Sequence, residues 1–540
     1  MIFSSSTYAL LYYKHRSLSI RSTRGRANQH ASHNKLSAME MEGWLTLSLI
    51  ALSTLLALWF FKLSGGKKLL LPPGPWRLPI IGSLHHVVSV FPHRTMTELC
   101  RRHGPVMYLQ LGEIPTVVVS SAKAAAQAND AAFDRPITGM QDIVGFGGKG
   151  IIFAPYGNHW RQMRKVCVGE LLSSKQVKRM ESVRAEEMGA LLRSIAASAG
   201  ATVNISQKVA ALSNDVVARA VFGGKFSQQE DFIHASDQIM DLLGGFFLVD
   251  LFPSSRLVRW LSNEERRIRS CCDVIQGIIT EVVVERKAVR AASERTDDDE
   301  GLLDVLLTLQ EGGSPELESP LTTEMITTVL FDMFGAATDT TSTTLEWAMS
   351  ELIGHPEVMA KAQLEVREVL GPDRATITNT DLAELHYMRM VIKEALRLHP
   401  PAPLIIRKNE DDRKIMGYDV VKGTNLYINV FAISRDPQCW NNPEEFNPER
   451  FENNTMDYNG GCFEFTPFGC GRRRCPGITF ASSVLEIALA NFLYHFDWML
   501  PEGAISPSVD MSEKFGLIVR RSSDLQLRAT PHVSFKAMQI

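Results

Sequence analysis

Ten residues near the C-terminus, Phe468-Gly469-Cys470-Gly471-Arg472-Arg473-Arg474-Cys475-Pro476-Gly477, set the terms for everything else this chain builds. They fit the pattern FxxGxRxCxG, whose five fixed positions arise by chance in about two of ten thousand chains of this length at average residue usage. The pattern describes a tight loop offering one sulfur to a metal. Gly471 and Gly477 permit backbone conformations closed to other residues, so that backbone N–H groups can face the sulfur. Arg473 brings a cation close, able to pair with a haem propionate. Pro476 withholds a competing donor and starts a helix whose positive N-terminus favours a thiolate. Cys475 is the expected axial ligand of a haem iron.

The other seven cysteines are too sparse and irregular for a disulfide framework, and no CxxC pair suggests zinc, so a reducing compartment is expected. With 540 residues, 45% of them hydrophobic, and a formal charge of −3, the chain has ample material for a core and no basic field for nucleic acid. Trp44 to Phe61 (WLTLSLIALSTLLALWFF) runs 18 residues without a charge, near the lower bound of the roughly 17 to 25 that cross a bilayer. It reads as a transmembrane anchor, a buried core helix being the plainer alternative. Lys62, Lys67 and Lys68 follow it while Glu40 and Glu42 precede it, which places everything downstream in the cytosol. Residues 1–40 carry six Lys or Arg, eight Ser and one acid, the composition of a transit peptide. Met39 and Met41, just before the anchor, equally suit an upstream extension of the reading frame. Residues 62–75 form a basic hinge stiffened by Leu71-Pro72-Pro73-Gly74-Pro75, ahead of a main domain over 76–540.

Periodicity downstream is chiefly helical and no repeat appears, so the fold class expected is mainly α with small β-sheets (α+β). A long apolar helix is expected from about Leu321 to His355, and an amphipathic one over Asp381 to Leu398 with Leu385, Met388, Ile392 and Leu396 on one stripe. Pro105 to Val119 and Asn425 to Val430 alternate as strands do. Asp297 to Glu300 and Glu311 to Pro320 read as solvated loops.

Four further segments stand in consistent order, and with them the chain resembles a cytochrome P-450, a haem-thiolate monooxygenase of the membrane-anchored plant type used in specialised metabolism. The resemblance runs from about Pro72 to Arg528. Trp160-Arg161-Gln162-Met163-Arg164 is similar to the family's WxxxR helix, which implies that Trp160 and Arg164 bond haem propionates. Ala336-Ala337-Thr338-Asp339-Thr340-Thr341 resembles the oxygen-activating segment, Glu394-Ala395-Leu396-Arg397 resembles ExxR, and Pro448-Glu449-Arg450-Phe451 resembles PERF. The resemblance implies a haem b site held by Cys475 and framed by Phe468, Arg473 and Gly477. It also implies a charge triad of Glu394, Arg397 and Arg450 that locks the haem-binding core. Alone, ExxR would be read as a surface ion pair, and Asp339 with Thr340 as helix back-bonding. Beside a haem, Thr340 would hold a proton path that Asp339 feeds, in a locally widened helix.

The implied activity is insertion of one atom of O2 into a small hydrophobic metabolite. With no dinucleotide fingerprint and no flavin domain, and hence no NADPH or flavin site, the two electrons must come from a membrane-bound NADPH-dependent flavoprotein reductase. Arg472 and Arg474 suit its docking face or are plain solvated charges. The location implied is the endoplasmic reticulum membrane, single-pass, or a plastid if 1–40 is a transit peptide. Substrate contacts are expected in Ile137 to Phe153, Phe331 to Ala337, Ala402 to Ile406 and Phe515 to Leu517, with Phe153, Phe334, Ala336, Ala337, Leu404 and Phe515 as pocket residues. Their apolar character suits a terpenoid, whereas stacking on Phe153 or Phe515 suits a phenylpropanoid or indole. Three features depart from the family. Ala337 replaces a usual Gly. His399 to Arg407 is one residue short, which puts a propionate role for Arg407 in doubt. Ala122 to Pro136 is shortened, which could displace the substrate loop. A haem-binding pseudoenzyme, or an enzyme of dehydration or rearrangement needing no external electrons, are the competing readings.

Overall fold

The computed structural model describes residues 44, 47–48, 50–54 and 69–532, apart from 130–133, 137–138, 293–300, 313–319, 373, 375–376, 454–455, 459 and 502–508. The chain divides into two units, 1–70 and 71–540. In the first, Trp44, Leu47, Ser48 and residues 50–54 are helical with exposed side chains. Residues 1–40, the rest of the expected anchor and residues 62–68 of the hinge lie outside the described residues, as do 297–300 and most of 311–320.

In the second unit, Pro92 opens α1 (Pro92–His103) where a missing N–H costs nothing. The chain then forms an antiparallel hairpin of β1 (Val106–Leu111) and β2 (Ile114–Val119), with Val106 opposite Val119. Tyr108 N–H donates to the Pro73 carbonyl at 2.8 Å, which ties the proline hinge to β1. The shortened segment after Ser121 keeps two turns of helix, Ala122–Asn129. Among the helices that follow are α2 (Asn158–Cys167), which runs into one π turn at Val168–Leu172, then α3 (Ile205–Phe222) and α4 (Gln229–Leu243). Asn204 caps α3, its side chain accepting from Gln207 N–H at 3.0 Å, and Gly223 in the left-handed region ends it.

The centre of the molecule is α5 (Thr323–Gly354), 32 residues, capped by the Thr322 hydroxyl and stopped before Pro356. It packs along α3 and is buried over most of its length, its polar side chains included, as a central core helix is. Asp381 to Leu398 is not one helix as the stripe suggested. A short 3-10 turn (Asp381–Glu384) breaks at Leu385, and α6 (His386–Leu398) starts afresh. The Glu365 carboxylate supplies the reason, accepting from the backbone N–H groups of Tyr387 and Met388 at 2.7 and 2.9 Å and so capping the new helix from another element.

Strands β3 (Leu404–Lys408) and β4 (Asn425–Asn429) complete a sheet ordered β1-β2-β4-β3, with β2 parallel to β4 and β3 antiparallel to it. Among the described residues, α7 (Ile478–His495) is the one helix long and apolar enough to cross a bilayer, but it is mostly buried, a core helix. A small hairpin of β5 (Glu513–Lys514) and β6 (Arg520–Arg521) lies near the C-terminus.

Candidate active site

The ten-residue loop precedes α7. Gly469 and Gly471 have φ of +72° and +69°, and a Cβ on Gly471 would lie 2.3 Å from the Asn129 side chain, so the loop tolerates no larger residue there. Gly477 differs from expectation: its φ is −90°, open to any residue, and it is the N-cap. The helix accordingly begins at Ile478, two residues beyond Pro476. Cys475 N–H donates to the Phe468 carbonyl at 2.9 Å, which closes the loop, and the Phe468 ring meets Tyr458 edge-on at 5.2 Å. Burial raises the pKa of the Cys475 thiol, while the Gly477 backbone N–H and the cations Arg164 and Arg474 pull it down. A coordinating metal deprotonates such a thiol outright.

Four guanidiniums converge beside this loop. Trp160 in α2 lies between two of them, with Arg473 4.7 Å and Arg164 5.2 Å from its ring. Its indole N–H donates to the Ile151 carbonyl at 3.0 Å, so in this structure it is not held open for a propionate. Arg164 donates to the Arg474 carbonyl, and Arg473 donates to Ala154 O and to Asp134 at 2.6 and 3.1 Å. Arg407 is buried on β3, so the missing residue ahead of it has not turned it away; its hydrogen bond to Ile406 O is long, at 3.4 Å. Arg135, which sequence reasoning passed over, has a buried Nε with no hydrogen-bond partner among the described residues. Burial, and then mutual repulsion, push Arg135 down to about 9. Burial foremost holds Arg407 and Arg473 at about 10. Like charges crowded out of water call for anions, and the two carboxylates of haem fit this donor set.

The triad is assembled as expected. Arg397 and Glu394 are fully buried and joined by two 2.8 Å bonds, and Arg450 Nε reaches Glu394 at 2.8 Å. Arg397 also donates to the carbonyls of Ser434, Pro443 and Glu445. These three residues therefore fasten the segment leading to the haem loop.

On α5, Ala336 is exposed and Ala337 and Thr340 are half-buried in a helix otherwise closed on most sides, which marks the face turned to the site. The expected widening is absent. α5 is uninterrupted α-helix, in which the hydroxyls of Thr338, Thr340, Ser342 and Thr344 bond the carbonyl four residues back, Thr340 to Ala336 at 2.7 Å. Asp339 pairs with Arg520 of β6 at 2.6 Å, and Arg520 also holds Asp237 of α4 at 3.0 Å. Burial raises the Asp339 carboxyl, opposed by Arg520.

Phe334 is not a pocket residue. It is buried in an aromatic cluster with Phe222 and Phe232, 6.0 and 4.9 Å away, because its position on α5 faces α3 and α4. Phe153, Leu404 and Phe515 are half-buried, and Phe515 stacks on His93 at 5.7 Å. Asp332, also passed over, is buried on α5 and accepts two backbone N–H bonds, from Ile151 and Ile152. Burial pushes it up to about 6 despite those bonds and Arg135. An acid inside the apolar run VLFDMFGAA was the available signal. Nothing in the sequence marked Arg520.

A glycine-shaped thiol loop with a cluster of guanidiniums beside it, behind a buried charge triad, is the arrangement of a haem-thiolate oxygenase. The cytochrome P450 family model matches residues 72–527, and the chain belongs to the cytochrome P-450 family. It is 44% identical over 468 residues to the desmethyl-deoxy-podophyllotoxin synthase of Sinopodophyllum hexandrum, covering 85% of this chain and 92% of that protein. It is 43% identical over 486 residues to the ent-isokaurene C2/C3-hydroxylase of Oryza sativa subsp. japonica, covering 86% and 94%. A zebrafish cytochrome P-450 solved with progesterone superposes with a TM-score of 0.71 at 26% identity, over 82% of this chain and all of that one. The protein is a plant-type haem-thiolate monooxygenase of specialised metabolism, which acts on a small hydrophobic substrate with O2.

Proposed function

We propose that this chain hydroxylates a terpenoid, using electrons from an NADPH-dependent flavoprotein reductase, while anchored by residues 44–61 to the endoplasmic reticulum membrane with its 76–540 body in the cytosol. The observation that carries the reading is the Cys475 loop together with the crowded guanidiniums of Arg135, Arg164, Arg407 and Arg473 beside it. The relative named for hydroxylating ent-isokaurene supports the substrate class.

Haem, when bound, supplies activation of dioxygen for insertion into a C–H bond. Cys475 would hold it through its sulfur, and Arg164, Arg473, Arg407 and Arg135 would hold its propionates, with Trp160 ordering the first two. Glu394, Arg397 and Arg450 keep the loop in place. Thr340 Oγ1 passes a proton toward the site, and Asp339, the preceding residue, paired with Arg520, renews that proton. Phe153, Ala336, Ala337, Leu404 and Phe515 wall the pocket and exclude water, and the Ala337 methyl narrows it.

The test is the carbon monoxide difference spectrum of reduced protein expressed with haem supplied, followed by feeding terpene hydrocarbons to membranes that contain a reductase. A thiolate-type Soret band with an oxygenated product is expected. Absence of that band defeats the catalytic reading, and turnover of phenylpropanoids or indoles alone defeats the substrate class.

A further inference from the structure

We infer that Asp332 is a specificity-determining positioning residue, a clamp that lays the substrate loop along α5 and so sets where Phe153 stands over the oxygen-activating face. The inference rests on the proposed function in taking that loop as the roof of the pocket.

The loop follows one i, i+4 row of α5, the row formed by Glu324, Thr328 and Asp332. Lys149 pairs with Glu324. Gly150 lies over Thr328 and Asp332, where a Cβ would come within 2.9 Å of Thr328 Cγ2 and 2.1 Å of Asp332 Oδ2, so only glycine fits. Ile151 and Ile152 then donate their backbone N–H groups to the same Oδ2 at 2.6 and 3.0 Å. Four residues further along the row stands Ala336, and four beyond that Thr340, about 6 and 12 Å up the helix. The clamp therefore ends one turn short of the open face, and the next loop residue is Phe153. From its other side the same stretch is held by Trp160 on Ile151 O, by His159 on Lys149 O at 2.8 Å and by Arg473 on Ala154 O. The Asp332 carboxylate is the one described side chain that takes two adjacent loop amides. Without it, the tie left along this row is Lys149 on Glu324, twelve residues before Ala336 and too far off to set the height of Phe153.

The experiment uses full-length, haem-loaded protein in detergent and compares wild type, Asp332→Ala, Asp332→Asn and Gly150→Ala. Hydrogen–deuterium exchange over 149–155 reads the clamp directly. Slow exchange at Ile151 and Ile152 is expected in wild type and Asp332→Asn, whose side-chain carbonyl still accepts, and fast exchange in Asp332→Ala and Gly150→Ala. Spectral titration with imidazole and 4-phenylimidazole reads the roof. The preference for the phenyl compound should fall about three- to tenfold in the two clamp-breaking variants, the worth of one aromatic contact, and recover in Asp332→Asn. Unchanged exchange in both clamp-breaking variants, or lost protection with an unchanged preference, overturns the inference. Gly150→Ala leaves α5 intact, so the question stands even if Asp332→Ala fails to fold. A wild-type protein lacking the thiolate band would instead refute the proposed function, and the exchange result would still decide whether the clamp exists.

Discussion

Replacing Arg397 by alanine should remove haem from this protein before it unfolds the rest. The guanidinium makes five hydrogen bonds, two to Glu394 and one each to the carbonyls of Ser434, Pro443 and Glu445, all between 2.7 and 3.0 Å. Its loss leaves Glu394 a fully buried carboxylate with only Arg450 and the Asn447 N–H beside it. Breaking a buried pair from one side costs about 3 to 5 kcal/mol, and each stranded carbonyl that water cannot reach adds about 1 kcal/mol or more. Against a total stability of about 5 to 15 kcal/mol, that is a large fraction. At roughly 2 cal/mol/K of unfolding entropy per residue, a body of about 470 residues loses about 1 °C of Tm per kcal/mol, so a fall of about 6 to 8 °C is expected. Haem retention should fall further, because the three carbonyls belong to the chain that carries the loop. Arg450→Ala, which removes one contact to Glu394 at a partly exposed site, should cost about 1 to 2 kcal/mol and keep most of the haem. Haem content by pyridine haemochrome and Tm by circular dichroism measure both variants side by side. If Arg397→Ala retains wild-type haem and a Tm within about 1 °C of wild type, the triad is not what secures the loop.

Cys475→Ser should lose the thiolate-type Soret band and turnover together, and a retained band would place the axial ligand elsewhere. Thr340→Ala should keep the band but release reducing equivalents as peroxide, measured against NADPH consumed; unchanged peroxide output would remove Thr340 from the proton path. Gly471→Ala forces a side chain into φ +69° and against Asn129, costing about 1 to 2 kcal/mol for the backbone alone and more for the overlap; wild-type haem retention would show that the loop relaxes freely. Burial would raise the Glu513 carboxyl, yet His93 at 3.4 Å and Arg94 at 2.9 Å hold it down at about 2, so its stabilisation is present above the ordinary value of 4.5 and is lost as pH falls toward about 2. The shift is worth at most about 3 kcal/mol. Glu513→Gln should therefore flatten the acid limb of a tryptophan-fluorescence unfolding curve between those values, and superimposable curves would refute the assignment.

How much was legible in the sequence differs by residue. Cys475, Gly471 and Arg473 were readable because a loop that aims one atom writes its requirements into adjacent positions. The Glu394–Arg397 pair was readable because three residues on a helix make neighbours. Its third member came from the family resemblance, since Arg450 is 56 residues away in the chain. Phe334 was misplaced because hydrophobicity says that a residue is buried, not against what, and only the packing of α5 on α3 and α4 puts it in the core. The single helix drawn over Asp381 to Leu398 failed for a related reason: the apolar stripe is real, but Glu365 on a different helix decides where the backbone starts again.

What the amino-acid order determined unaided is the local chemistry: a sulfur on a glycine-built turn, a long helix stopped at Pro356, and a strand hairpin after α1. Such features depend on φ, on hydrogen bonds a few residues long and on periodicity, all of which are fixed over short stretches of chain. Tertiary structure alone decided that Arg135, Arg164, Arg407 and Arg473 share one pocket, that Arg520 meets Asp339, and that Asp332 takes hold of Ile151 and Ile152. Those meetings join residues from 29 positions apart, for Arg135 and Arg164, to 338, for Arg135 and Arg473. They exist because burying the faces of α3, α5 and α7 leaves these polar groups a single place in which to find partners.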